Sequence, residues 1–151
     1  MNKQKIYILE DRGIIYISGG DAFVYLQNLI SNDLNKVTDA QSCFSYLLTP
    51  QGKYLFEFII IKHKSGYFLD CPKYQIENLY KQLTLYRLRS KVEITNLSNE
   101  FVVAALSKDN FSEFENENKL GMTIKFREDP VFLDPRCINL GSRIVINLEK
   151  L

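Results

Sequence analysis

Tyr54-Leu55-Phe56-Glu57-Phe58-Ile59-Ile60-Ile61 carries large apolar side chains at every position but one. Successive residues of a strand point to opposite faces, so Tyr54, Phe56, Phe58 and Ile60 fall on one side and Leu55, Ile59 and Ile61 on the other. Both sets are apolar, which is the pattern of a central strand covered on both faces. Glu57 is the exception, and an ionised carboxylate between Leu55 and Ile59 is costly unless something pairs with it. Working outward, Pro50-Gln51-Gly52 ends a preceding strand in which Phe44, Tyr46 and Leu48 alternate with Cys43, Ser45, Leu47 and Thr49. On the other side Lys64-Ser65-Gly66 makes a turn into a strand over residues 67–71. Strands joined by such short turns run antiparallel.

Further out, residues 5–9 and 13–18 read as two short strands broken at Asp11-Arg12-Gly13, either a hairpin or one interrupted strand. Gly19-Gly20-Asp21 ends them and offers an N-cap carboxylate to a first helix, on which Phe23, Leu26 and Ile30 recur at helical spacing before Ser31-Asn32-Asp33. Pro72 opens a second helix with Ile76, Leu79, Tyr80 and Leu83 on its apolar face. Strands are expected over 92–95, 101–106, 122–126 and 143–146; the polar, acidic stretch 108–119 reads as a loop or a poorly packed helix. The fold class is therefore α+β, an antiparallel or mixed sheet with helices packed on one face. A doubly wound nucleotide fold is excluded, because Gly19-Gly20 is not a G-x-G-x-x-G and strands and helices do not alternate.

The 151 residues fit one domain, 1–151, with 46% hydrophobic and 25% charged residues. Nineteen basic residues against 18 acidic ones leave no global field for nucleic acid or an anionic membrane, so neither is an expected partner. Cys43, Cys71 and Cys137 form no C-x-x-C pair and read as free, buried thiols. With an odd cysteine count, no apolar leader and no spanning stretch, the expected location is the cytoplasm. No metal cluster, phosphate loop or nucleophile–base pair is written in the chain, and His63, in a hairpin turn, reads as an exposed imidazole with no orienting acid.

The order of motifs nevertheless resembles a known family. Leu9-Glu10-Asp11-Arg12-Gly13, Ser18-Gly19-Gly20-Asp21-Ala22 with Leu26-Gln27, Ser31-Asn32-Asp33, Leu47-Leu48-Thr49-Pro50-Gln51-Gly52-Lys53, Leu85-Tyr86-Arg87-Leu88-Arg89-Ser90-Lys91-Val92 and Asp134-Pro135-Arg136 with Leu140-Gly141 occur in the order seen in the YgfZ family of folate-binding proteins, relatives of the glycine-cleavage aminomethyltransferase. The resemblance implies the ferredoxin-like core of the aminomethyltransferase folate-binding domain. It also implies a tetrahydrofolate or one-carbon derivative as cofactor, and a role in assembling or repairing iron–sulfur clusters, with client enzymes or assembly factors as partners. The family's K-G-C-[YF]-x-G-Q-E motif is absent, so the chain is expected to be the N-terminal part of a longer architecture. The alternatives are a folate-dependent aminomethyltransferase or a tRNA-modifying one-carbon enzyme, and a non-catalytic interaction module.

A reduced folate asks for a carboxylate at the pterin edge, aromatic walls and a cation for its acidic tail. Glu57 is the leading carboxylate, with Tyr46 and Phe56 as walls, Asn32 and Asp33 as polar groups at a cleft edge, and Arg87 and Arg89 as cations for the tail. No catalytic residue is assigned. In aminomethyltransferases the matching strand carries paired aspartates; by register the first falls on Phe56 and the second on Glu57, which counts against aminomethyl transfer. Each assignment has a structural alternative: an ion pair from Glu57 to Arg87, Arg89 or Lys53, an ordinary turn at Asn32-Asp33, core aromatics, and cations that complement a helix C-terminus.

Overall fold

The computed structural model describes residues 6–48, 54–106, 119–137 and 140–150, with backbone alone at Tyr54 and Leu55. Its centre is β4 (Tyr54–His63), where Phe58, Ile59, Ile60 and Ile61 are fully buried and both faces are covered. β3 (Cys43–Leu48) pairs on one side with Tyr46 opposite Glu57, and β5 (Gly66–Pro72) on the other with Asp70 opposite Ile59. β2 (Arg12–Ser18) and β6 (Glu93–Asn96) complete a five-stranded antiparallel sheet in the order β3-β4-β5-β2-β6. Two helices, α1 (Ala22–Gln27) and α2 (Ile76–Arg87), pack on one face of it over Ile15, Ile17, Phe58, Ile60 and Leu69.

The other face meets a second sheet, the chief departure from the single sheet expected. β1 (Tyr7–Ile8), β7 (Phe101–Leu106), β8 (Thr123–Phe126), β9 (Asp129–Leu133) and β10 (Ser142–Asn147) pair antiparallel in the order β1-β7-β10-β9-β8. Val103, Phe132 and Val145 from this sheet close on Ile14, Ile59, Ile61 and Phe68 from the first. The class remains α+β with helices on one face; the second sheet is what covers the other face of β4.

Several local expectations are corrected. Residues 7–8 and 12–18 are not a hairpin: β1 pairs with β7, so the chain crosses from one sheet to the other at Leu9–Asp11. α1 is shorter than its spacing suggested and turns Ala22, Tyr25 and Leu26 inward, leaving Phe23 39% exposed. Asp21 makes no side-chain cap; its carboxylate instead accepts a hydrogen bond from the Lys91 backbone N–H at 2.7 Å. On α2 Tyr80 is 37% exposed, and Ile76, Leu79 and Leu83 form the buried stripe. Pro72 closes β5 rather than opening the helix, which is preceded by a single tight turn at Lys73–Gln75. β9 has no counterpart among the expected strands; Pro130 pairs with Lys125 across the β8–β9 hairpin. Cys43 and Cys71 are buried free thiols, whereas Cys137 is exposed. The acidic stretch read as a loop, 108–119, lies outside the described residues except for Lys119.

Candidate functional site

Alternation along β2, β4 and β5 sends Arg12, Glu57 and Asp70 to the face that meets the second sheet, all at the same end of the sandwich. There the apolar filling gives way to charge. Arg12 donates from Nε to Asp70 Oδ1 at 2.8 Å and from Nη2 to the Asp70 carbonyl at 2.9 Å. Arg143, on β10, lies 3.5 Å from Asp70 Oδ2 and 3.4 Å from Asp134 Oδ2. Arg136 closes the chain with a two-pronged contact to Asp134, Nε to Oδ1 at 2.9 Å and Nη2 to Oδ2 at 2.6 Å, and its backbone N–H also donates to Oδ1. Both aspartates are fully buried.

The network sets its members' protonation in opposite senses. Burial pushes Asp70 up against the pull of Arg12 and Arg143. Burial also works against a charged Asp134, but the Arg136 hydrogen bonds and the cations around it outweigh that and hold it low. Hydrogen bonding to Asp134 raises Arg136, and burial lowers Arg143. Three arginines and two aspartates leave one surplus positive charge, and Glu57 stands close enough to Arg136 to raise it as well. Glu57 is half-buried, and among the described residues nothing forms an ion pair or hydrogen bond with its carboxylate.

Of the residues singled out from the sequence, Glu57 and Tyr46 are brought together as directly opposed residues on one face. The Tyr46 ring stands edge-on to Phe44 at 5.0 Å between centroids. Phe56 points the other way and packs against the helix-side core. Asn32 donates from Nδ2 to the Phe44 carbonyl at 2.9 Å and accepts from the Asp33 N–H, while Asp33 Oδ1 accepts from the Asn35 N–H. Both therefore build the turn that anchors β3. Arg87 and Arg89 sit at the far end of the first sheet, separated from Glu57 by the length of β2, about 20 Å. They form a second locus with Lys91, and Glu57 is paired with neither. His63 is not exposed: it is 7% accessible and stacks on Phe68 at 4.4 Å.

Sequence reasoning passed over Arg12, Asp70 and Arg143. The signal was the one that exposed Glu57, a charge inside an apolar strand: Phe68-Leu69-Asp70-Cys71 and Arg143-Ile144-Val145-Ile146. No helix among the described residues is long and apolar enough to cross a membrane.

No family model matches the chain. It is 30% identical to an aminomethyltransferase of Caldanaerobacter subterraneus subsp. tengcongensis across 70% of this chain and 28% of that protein. It is 24% identical to the mitochondrial iron–sulfur cluster assembly factor IBA57 homolog of Dictyostelium discoideum across 98% of this chain and 42% of that protein. Among solved structures, the glycine cleavage system aminomethyltransferase T of Bartonella henselae superposes with a TM-score of 0.73 at 15% identity, covering 93% of this chain and 41% of that one. The chain thus has the aminomethyltransferase-like fold and spans less than half the length of these relatives.

Proposed function

From a chain homologous to aminomethyltransferases and to IBA57-type assembly factors, we propose a reduced-folate-binding module of YgfZ type that serves iron–sulfur cluster assembly or repair. The observation that carries the proposal is Glu57: a half-buried acid on a central strand, free of any bonded partner among the described residues, opposite Tyr46 and beside a cluster with surplus positive charge. That donor set fits the ligand. The Glu57 carboxylate can accept paired N–H donors from a pterin edge, Tyr46 offers a ring for stacking, and the surplus arginine charge lies beside the acid. When bound, a reduced folate supplies the one-carbon carrier; this chain's residues orient it. The relatives named for iron–sulfur assembly align over nearly the whole chain, which favours that role over aminomethyl transfer. Phe56, where a paired acid would stand, is turned into the helix-side core and has no carboxylate to offer.

The test is calorimetric titration of the chain with 5-formyltetrahydrofolate. Replacing Glu57 by glutamine removes a charge-assisted contact worth about 1.5–3 kcal/mol, so affinity falls by roughly tenfold to a hundredfold with folding intact. Equal affinity for Glu57→Gln would remove the assignment. Tetrahydrofolate-dependent aminomethyl transfer by this chain, detected by mass spectrometry, would restore the transferase reading. We place the protein in a reducing compartment, the cytoplasm, in keeping with its free thiols; the IBA57 relatives are named as mitochondrial.

A further inference from the structure

At the end of the first sheet remote from Glu57, the segment between α2 and β6 closes over the glycines that follow β2. Gly19 has φ +117, and a Cβ there would lie 2.3 Å from the Lys91 carbonyl, so only glycine lets the two backbones meet. Asp21 fastens the contact twice: its N–H donates to the Lys91 carbonyl and its carboxylate accepts the Lys91 N–H. Inside the segment, Ser90 N–H donates to the Arg87 carbonyl and Val92 N–H to that of Ser90. Leu88 takes a left-handed conformation, φ 47, although it is 86% exposed and gains no core contact for it. A bulky residue held there is the kind of backbone outlier that points to function.

The result is a fixed, polar recess of about 670 Å³. It is lined by Arg87, Arg89 and Lys91, by the hydroxyl-bearing Ser18, Ser65 and Ser90, and by the backbone of Gly20, around which nothing lies within 4 Å of a Cβ position. Glu93 is the acid in the lining. None of the three cations forms an ion pair among the described residues, whereas Arg12, Arg136 and Arg143 are all paired. Glu93 and the C-terminal end of α2, the latter worth about half a unit charge, together offset about half of the three positive charges and leave the recess net positive.

We propose that this recess binds a small polyanion, a molecule carrying two or more phosphate or carboxylate groups, at a site separate from the one assigned to folate. A single inorganic anion would leave most of the volume empty. Leu88 and Val92 are the apolar members of the lining, and three cations within five residues set several oxyanions side by side. Because the loop is already held by its own hydrogen bonds, little ordering is required on binding.

The experiment titrates the chain with inorganic tripolyphosphate and, separately, with triglutamate, following backbone amide shifts by NMR at two salt concentrations. Shifts confined to residues 18–20, 65 and 87–93, weakened at higher salt and by about tenfold or more in Arg87→Glu/Arg89→Glu, are the expected result. Response to tripolyphosphate alone assigns a phosphorylated ligand, to triglutamate alone a carboxylate chain, and to both the shared oxyanion chemistry. Arg87→Lys/Arg89→Lys retains most of the binding, and Glu57→Gln leaves it unchanged, so the two sites stand or fall apart. No shift with either anion at about 10 mM, or an affinity unaltered by the glutamate substitutions in a variant with native circular dichroism, overturns the proposal.

Discussion

His63 lies between the two sheets with its ring stacked on Phe68 and edge-on to Tyr16 and Phe101. Burial, with Lys64, Lys125 and Lys150 adding to it and Glu128 opposing, lowers its pKa to about 4. The unfolded imidazole titrates near 6.5, so between those values the unfolded chain holds a proton that the folded one refuses. The stabilisation is complete above pH 6.5 and is lost as pH falls through about 4. His63→Phe preserves the stack and removes the proton. The urea midpoint of the wild type is expected to drop relative to this variant over that interval, by up to about 3 kcal/mol in stability, and parallel pH curves would contradict it. Glu57 and His63 illustrate what one residue reveals alone. The charge inside an apolar run drew attention to Glu57, but nothing in Lys62-His63-Lys64 shows that a ring at a hairpin end is roofed by another sheet.

At the scale of elements, α2 holds the first sheet's outer face through Ile76, Leu79 and Leu83, with the Tyr25 hydroxyl of α1 donating to the Leu83 carbonyl. Burial also pushes the Tyr25 phenol above its usual range, with Arg87 pulling weakly the other way. Leu79 is fully buried and Tyr80 is 37% exposed, although both stand on the apolar face read from spacing. Leu79→Ala is expected to cost about 2–5 kcal/mol, and Tyr80→Ala well under half of that, both read from urea denaturation. Similar losses at the two positions would mean that Tyr80 packs more deeply than its exposure indicates. Helical spacing fixes a face to within about one residue, and whether a flanking tyrosine is in or out depends on the sheet beneath it.

At the scale of the whole molecule, the two sheets are joined by an apolar layer and, at one end, by the chain of charges Arg12–Asp70–Arg143–Asp134–Arg136. Asp70 is the link between β2 and β10, fully buried with arginines on both sides. Asp70→Asn leaves Arg12 and Arg143 short of their counter-charge in a dry interface, a loss of about 3–5 kcal/mol in equilibrium unfolding. A change under about 1 kcal/mol would show that water or Asp134 already compensates them. By itself the sequence determined the α+β class, the central β4 covered on both faces, the two helices and the acid on β4, because each follows from local periodicity and turn chemistry acting over a few residues. Tertiary structure alone decided that β1 leaves its neighbour to pair with β7, that a second sheet covers the first, that Arg12, Asp70, Asp134, Arg136 and Arg143 converge, and that Arg87 and Arg89 stand about a strand's length from Glu57. Those are pairings between residues far apart in the chain, and local patterning fixes which faces must be buried without specifying which distant segment buries them.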